Sequence, residues 1–154
     1  MFTHCFVDDN HAGDTETRKS QTGILLFCNS EPIIWFSKRQ NSVEASKFGS
    51  EFTTMNNSVE IIEALRYNLR MFGITIYGST HIFCDNGTVC ANMTRPESTL
   101  DKKHHSIAYY CSQETAATGT VRVSKEHTLI NLANLFTKTM AASKREGLLE
   151  NFTY

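Results

Sequence analysis

The sequence predicts an α/β fold in which helices pack on the faces of a mixed β-sheet. Three short apolar segments near the start, residues 3–8, 23–28 and 33–37, have the pattern of strands in hairpin succession. Strand-like and helix-like segments then alternate along the rest of the chain. With 154 residues, of which 40% are hydrophobic, the chain has the size and composition of one globular domain.

The first three strands are separated by turn-forming residues. The polar stretch that follows Asp8 reverses the chain after the first strand. A turn over residues 29–32, which includes Pro32, separates the second strand from the third. Short connections of this kind favour antiparallel pairing of neighbouring strands.

The longest predicted element is an amphipathic helix over about residues 46–72, closed by Gly73. Its apolar residues recur at spacings of three and four: Phe48, Phe52, Met55, Val59, Ile62, Leu65, Leu69 and Phe72. Glu51 lies on the buried side of this pattern. Because an unpaired buried carboxylate is costly, Glu51 requires either a metal ion or a nearby Lys or Arg, and its position in the pattern favours neither.

Two carboxylates follow apolar strands in the same way. Asp85 comes directly after a predicted strand over residues 80–84, and Asp8 ends the first strand. Ligands of open α/β sheets usually bind at the carboxyl ends of the strands. We therefore expect Asp8 and Asp85 to meet across a metal ion. The remaining predicted elements are helices over 88–93, 106–118 and 131–140 and a strand over 120–123.

The composition argues against several classes of protein. The formal net charge of −1 creates no global field for nucleic acid, although acids at a metal site can offset local basic patches in the sum. No apolar run approaches the roughly 20 residues of a membrane span, and the start has no secretory pattern, so we expect neither a membrane protein nor a secreted one.

The cysteines are odd in number, scattered and free of any Cys-x-x-Cys pair. This spacing argues against a disulfide framework and against a zinc site. We expect the cysteines to be buried free thiols and Trp35 to lie in the core.

Several ordered blocks of the chain resemble one known family. The blocks are Val7–Gly13, Thr17–Gly23, Pro32–Glu44, Phe48–Glu51, Phe83–Asn86, Pro96–His104 and Asn131–Lys138. Together they resemble the ribonuclease H domain at the carboxyl end of the copia-type long-terminal-repeat retrotransposon polyprotein. The resemblance implies a ribonuclease H-like three-layer fold over residues 1–143, followed by a C-terminal tail over residues 144–154. Its five-stranded mixed sheet has three antiparallel strands first, then parallel strands, and is flanked by helices.

The resemblance also implies a chemistry. The family uses four carboxylates, in the order Asp, Glu, Asp, Asp, to hold two divalent ions, Mg²⁺ or Mn²⁺, at the scissile phosphate. Matching motifs assign the first three catalytic and metal-binding roles to Asp8, Glu51 and Asp85, with Asp8 bridging both ions. The fourth role falls on Asn134, where the family has an acid. An amide oxygen is an uncharged ligand, so we expect weaker cation binding.

A second departure from the family is Asn10, where the opening motif usually carries another Asp. Two hypotheses follow from these departures. In the first, the protein hydrolyses the RNA strand of RNA/DNA hybrids in retrotransposon reverse transcription, with activity impaired by Asn134. In the second, it is a catalytically inactive hybrid-binding module or a structural relic. A nucleotidyltransferase of the integrase type is disfavoured, because the matched blocks are those of ribonuclease H.

Four residues are predicted to bind the substrate, because contacts to phosphates require cations: Lys38, Arg39, Lys103 and His104. His104 also has a side chain suited to proton transfer or product release near neutral pH. The implied partners are an RNA/DNA hybrid and the reverse transcriptase and integrase regions of the same polyprotein. We expect an isolated fragment or a relic reading frame, located in a cytoplasmic virus-like particle or in the nucleus.

Overall fold

The computed structural model describes residues 1–95 and 106–150. Its strands are β1 (Thr3–Asn10), β2 (Gln21–Cys28), β3 (Glu31–Arg39), β4 (Thr80–Cys84) and β5 (Val121–Lys125). They form one sheet in the order β3-β2-β1-β4-β5. The pairs β1·β2 and β2·β3 are antiparallel, whereas β1·β4 and β4·β5 are parallel. The predicted mixed five-stranded sheet is confirmed.

The helices are α1 (Lys47–Met71), α2 (Gly87–Thr94), α3 (Ser106–Ala117), α4 (Asn134–Thr137) and α5 (Ala142–Glu150). The Ser46 side chain caps α1 by accepting a hydrogen bond from the backbone N–H of Gly49. The chain leaves α1 through Gly73, whose φ of +74° is in the left-handed region. Both ends agree with the predicted helix over residues 46–72.

Each face of the sheet has its own hydrophobic core. Successive residues of a strand point to opposite faces, so Ile24 and Leu26 join one core while Leu25 and Phe27 join the other. The larger core contains side chains of α1, α2 and α3, such as Phe52, Met55, Val89 and Tyr109. The smaller core contains Leu132 and Leu148, with Phe136 and Met140 packed against it. The sheet therefore lies between two layers, as predicted.

The predicted last helix over residues 131–140 is wrong in its bounds. Only Asn134–Thr137 is helical there, and a separate helix covers Ala142–Glu150. The Asn131 side chain accepts a hydrogen bond from the Ala133 N–H and donates one to the Val7 carbonyl. Such local side-chain bonds compete with helix formation. Residues 144–150, expected in the C-terminal tail, lie in α5.

Two further local predictions are wrong. Trp35 is 59% exposed, because β3 is the edge strand and its residues Ile34 and Phe36 point to the larger core instead. Pro32 lies within β3 rather than in the turn, beside a register shift in an edge strand that tolerates proline.

The five cysteines are free thiols, and three of them, Cys5, Cys84 and Cys90, are buried as predicted. The prediction is wrong for Cys111, which is exposed, and Cys28 is half-buried. In the described ranges, no helix combines the length and apolar character that a membrane crossing requires.

Candidate functional site

The predicted acidic residues meet at one edge of the sheet. Asp8 lies near the end of β1, and Asp85 directly follows β4, which runs parallel to β1. Glu51 reaches the same edge from α1, and these three carboxylates line one small pocket together with Asp9 and Asn86. The structure thus brings together three of the four predicted ligands.

Asp8 is buried and already has two partners. The Thr137 hydroxyl donates a hydrogen bond to Asp8 Oδ2, and the Lys138 Nζ lies 2.9 Å from Asp8 Oδ1. Burial raises the pKa of Asp8, whereas the bonds from Thr137 and Lys138 lower it. In this arrangement the negative charge of Asp8 is balanced by an ammonium group of the same chain.

Asn134, the fourth predicted ligand, is connected to Asp8 through Lys138. Its Oδ1 accepts a hydrogen bond of 2.5 Å from Lys138 Nζ, and its Nδ2 donates one of 2.5 Å to the Thr128 carbonyl. The Thr128 hydroxyl donates to Asp85 Oδ2 over 3.1 Å. A chain of polar contacts therefore joins Asp85 to Asp8, and both polar atoms of the Asn134 amide take part.

Glu51 makes the contacts that its buried position requires. The Lys47 Nζ lies 3.3 Å from Glu51 Oε1, and Asn86 Nδ2 donates a hydrogen bond to Glu51 Oε2. Burial raises the pKa of Glu51, while Asn86 and Lys47 lower it. The Lys47 side chain is 67% exposed, so this ion pair is weak and leaves Glu51 available to a cation.

Asp9 is an acidic residue of this pocket that the sequence analysis did not assign to the site. It is 4% exposed, and neither carboxylate oxygen has a hydrogen-bond partner. Burial raises the pKa of Asp9 to about 7; the nearby Ser50 hydroxyl opposes this shift, and the charges of Glu51 and Asp8 add to it. The signal in the sequence was the second acid at the end of the first strand.

The donor set of the pocket fits a divalent cation. Carboxylate oxygens are the ligands that Mg²⁺ and Mn²⁺ prefer, and the two oxygens of Asp9 are buried without partners. Within residues 1–95 and 106–150, no three His, Cys, Asp or Glu side chains converge closely enough to hold a metal ion as they stand. Cation binding therefore requires the carboxylates to draw together and Lys138 to leave Asp8.

Basic side chains lie at the same edge of the sheet. Asp9 pairs with Thr22 across β1 and β2, and Thr22 pairs with Lys38 across β2 and β3. Two strand spacings place Lys38 about 10 Å from Asp9. Arg39 is the next residue of β3, and its Nη1 lies 2.8 Å from Asp14 Oδ2 in an exposed ion pair. The other two predicted substrate-binding residues, Lys103 and His104, lie outside the described residues.

Comparisons with known proteins show what the whole chain is similar to. No family model matches the chain. It is 28% identical over 141 residues to the retrovirus-related Pol polyprotein from transposon RE2 of Arabidopsis thaliana, covering 90% of this chain and 10% of that protein. It is 26% identical to the corresponding polyprotein from transposon TNT 1-94 of Nicotiana tabacum, covering 92% and 10%. The chain thus spans about a tenth of the length of these relatives.

Solved structures decide the fold. LC11-RNase H1, isolated from compost, superposes with a TM-score of 0.61 at 7% identity, covering 84% of this chain and 87% of that one. The N-terminal RNase H domain of Rv2228c from Mycobacterium tuberculosis gives 0.62 at 10% identity, covering 98% of both chains. The chain has the ribonuclease H fold and is homologous to retrotransposon Pol polyproteins. The predicted resemblance to a copia-type ribonuclease H domain is confirmed.

The same fold occurs within a larger viral protein. This ribonuclease H-like domain superposes on the protease-reverse transcriptase of prototype foamy virus with a TM-score of 0.55 at 12% identity, covering 98% of the domain and 19% of the viral chain.

The site of the ribonuclease H-like domain also contains two lysine side chains that the residue pattern did not assign to it. Lys138 binds Asp8, and Lys47 binds Glu51 one helical turn away. The pair of Lys47 and Glu51 could be predicted from the sequence, because residues four apart on a helix are neighbours. The pair of Lys138 and Asp8 could not be predicted in this way, because the two residues are 130 positions apart.

Proposed function

We propose that this ribonuclease H-like domain hydrolyses the RNA strand of RNA/DNA hybrids during retrotransposon reverse transcription, with divalent cations held by Asp8, Glu51 and Asp85. The observation that supports the proposal is the convergence of these three carboxylates on one pocket at the carboxyl ends of β1 and β4. LC11-RNase H1, which shares the fold, has been solved in complex with an RNA/DNA hybrid.

Each acidic residue has a distinct part in the proposed reaction. Two Mg²⁺ or Mn²⁺ ions, when bound, activate the attacking water and stabilise the leaving 3′ oxygen of the RNA strand. Glu51 and Asp85 offer oxygens from the pocket. Asp8 becomes available as a ligand only when Lys138 gives up its contact of 2.9 Å. Asn134 offers an uncharged oxygen, so we propose that the activity is impaired.

The basic edge supplies the contacts to the substrate in this proposal. Lys38 and Arg39 bind phosphates of the hybrid, and Arg39 exchanges its exposed ion pair with Asp14 for a phosphate. Lys103 and His104 stay predictions for the same role. If replacement of His104 by Ala changes neither the cleavage rate nor its pH profile, the proposed proton transfer by His104 is wrong. The reverse transcriptase and integrase regions of a Pol polyprotein are the proposed protein partners.

A second candidate function is a hybrid-binding or structural module without catalysis. Two features of the site favour it. The Lys138 ammonium already balances the charge of Asp8, and the Asn134 side chain carries no charge. Both features lower the affinity of the site for cations. The basic edge with Lys38 and Arg39 would still bind a hybrid.

The test is cleavage of a hybrid with labelled RNA, with Mg²⁺ and with Mn²⁺, alongside binding of the same hybrid. The variants are Asp85→Asn in the pocket and Glu146→Gln on the exposed side of α5 as a matched control. We expect cleavage by the natural chain and the control, and none by Asp85→Asn. Binding without cleavage supports the second candidate. Equal cleavage by all three proteins overturns the assignment of the site, and absence of both binding and cleavage overturns both functions.

A further inference from the structure

Asp9 stands out among the described residues because it is a buried carboxylate without a partner. Both of its oxygens lack hydrogen bonds, and the only other buried side-chain polar atom in this state, within the described ranges, is Oε1 of Gln40. A buried, unpaired charge is costly, and nearly all buried polar groups of native proteins are satisfied. The oxygens of Asp9 are therefore free to bind a ligand, and a cation is the ligand that a carboxylate binds most favourably.

The position of Asp9 in β1 explains why it does not share the partners of Asp8. Neighbouring residues of a strand point to opposite faces of the sheet. Asp8 contacts Thr137 and Lys138 at one face, whereas Asp9 lies on the side of α1, where its charge interacts with that of Glu51. The side chains of two adjacent acidic residues thus point to opposite faces of the sheet at the same edge.

The pocket is lined by four acidic residues, Asp8, Asp9, Glu51 and Asp85, and of these Asp8 already pairs with Lys138. Its volume is about 10 Å³, which is the size that holds a single water or ion. Mg²⁺ is commonly held by one or two carboxylates together with waters. A small closing movement of these side chains would therefore complete a site for one divalent cation.

The charge of the edge supports the same conclusion. With Asn134 in the fourth position, the four expected ligands carry three negative charges, and one of these, on Asp8, faces the Lys138 ammonium. Asp9 adds the fourth negative charge. Neither oxygen of Asp9 has a hydrogen-bond partner, and the lysine charge that acts on Asp9, that of Lys47, belongs to the ion pair with Glu51. The carboxylate of Asp9 is therefore available to a metal.

We infer that Asp9 is a ligand of a divalent cation held with Glu51 and Asp85, supplying on the α1 side of the sheet the negative charge that Asn134 lacks. This inference rests on the proposed function and assigns metal binding to a residue outside the four expected positions. Asp9 would hold the ion from the α1 side of the sheet, and Asp8 would offer its oxygens on the opposite side once Lys138 has moved away.

The test combines stability without metal and affinity for Mn²⁺, measured on the natural chain and on Asp9→Asn. In metal-free buffer, Asp9→Asn should raise the melting temperature, because it removes a buried charge that has no partner. The same substitution should weaken Mn²⁺ binding, measured by calorimetry, by about tenfold or more. A residue with a purely structural role would not change the two quantities in opposite senses. Asp9→Ala, which leaves no oxygen, should weaken binding further.

Two reference variants separate the possible outcomes. Glu146→Gln, an exposed change on α5, should leave Mn²⁺ affinity as it is, and Asp85→Asn should abolish binding. If Asp85→Asn abolishes binding while Asp9→Asn and Asp9→Ala bind Mn²⁺ as the natural chain does, the role of Asp9 is wrong and the proposed function stands. If the natural chain binds no Mn²⁺ and cleaves no hybrid, the proposed function falls and the role of Asp9 falls with it.

Discussion

The ammonium group of Lys138 lies 2.9 Å from the carboxylate of Asp8, in a contact between residues 130 positions apart. The Asp8 side chain is 2% exposed and that of Lys138 is 36% exposed, so solvent screens this pair only in part. The contact stabilises Asp8 in the metal-free domain. It also places the ammonium where Asp8 would ligate a cation, so Lys138 and the metal compete for the same oxygens.

Replacement of Lys138 by Met should therefore destabilise the domain more without metal than with it. In EDTA we expect a loss of about 1–3 kcal/mol of unfolding free energy, because Asp8 keeps a buried charge without its partner. In excess Mg²⁺ the loss should be smaller, since the cation takes the place of the ammonium. Urea unfolding under both conditions measures the difference, with the exposed Lys144→Met as control. An equal loss in both buffers would contradict the competition.

Replacement of Asn134 by Asp should restore a charged ligand at a cost to the metal-free fold. The Asn134 Nδ2 donates to the Thr128 carbonyl over 2.5 Å, and a carboxylate would set two acceptors against each other. We expect about 1–3 kcal/mol lower stability without metal and tighter Mg²⁺ binding. Hybrid cleavage completes the measurement: if only the variant cleaves, the natural chain is an inactivated copy on an intact scaffold. Unchanged metal affinity would show that Asn134 is not a ligand.

The stability of the domain should fall with acid in part because of His4. Its ring is stacked on Phe27 with centroids 4.7 Å apart, and burial, followed by the charge of His81, lowers the pKa of His4 from its ordinary value of 6.5. The unfolded chain therefore binds a proton more readily than the folded one. The stability that results is present above pH 6.5 and is lost as the pH falls through the lowered pKa of His4.

Replacement of His4 by Phe should flatten the dependence of the unfolding free energy on pH between about pH 7 and 5. Urea unfolding at a series of pH values measures it, and His127→Gln, at an exposed position, is the control. If the unfolding free energy of His4→Phe depended on pH as steeply as that of the natural chain, His4 would not be the source of this pH dependence.

The thiols of Cys84 and Cys90 are placed for oxidation, with their Sγ atoms 2.8 Å apart. The hydrogen bond between them lowers the pKa of Cys90 and, with burial, raises that of Cys84. We expect diamide, a thiol oxidant, to join them as a disulfide, with loss of two titratable thiols and two hydrogens by mass spectrometry. Cys84→Ser should prevent the change, and an unaltered mass of the natural chain after treatment would contradict it.

Local patterns were sufficient for most of the architecture. The apolar run 23–28 lies within β2, and the spacing of three and four from Phe48 to Leu65 matches α1, because each pattern reflects burial of one element against the core. Phe72, the last residue of the predicted spacing, is exposed. The pattern was insufficient where burial depends on a distant element. Trp35 has the composition of a core residue, yet it is exposed because β3 is the edge strand.

Residue patterns along the chain are enough to predict that Asp8 and Asp85 end apolar strands and that Glu51 lies on the buried face of a long helix, because strand and helix periodicity depend on near neighbours. The pairing of Lys138 with Asp8 and the burial of Asp9 without a partner are visible only in the folded chain. These facts depend on the register of β1 in the sheet and on where the chain returns after β5. Contacts of that range follow from packing, which no local pattern encodes.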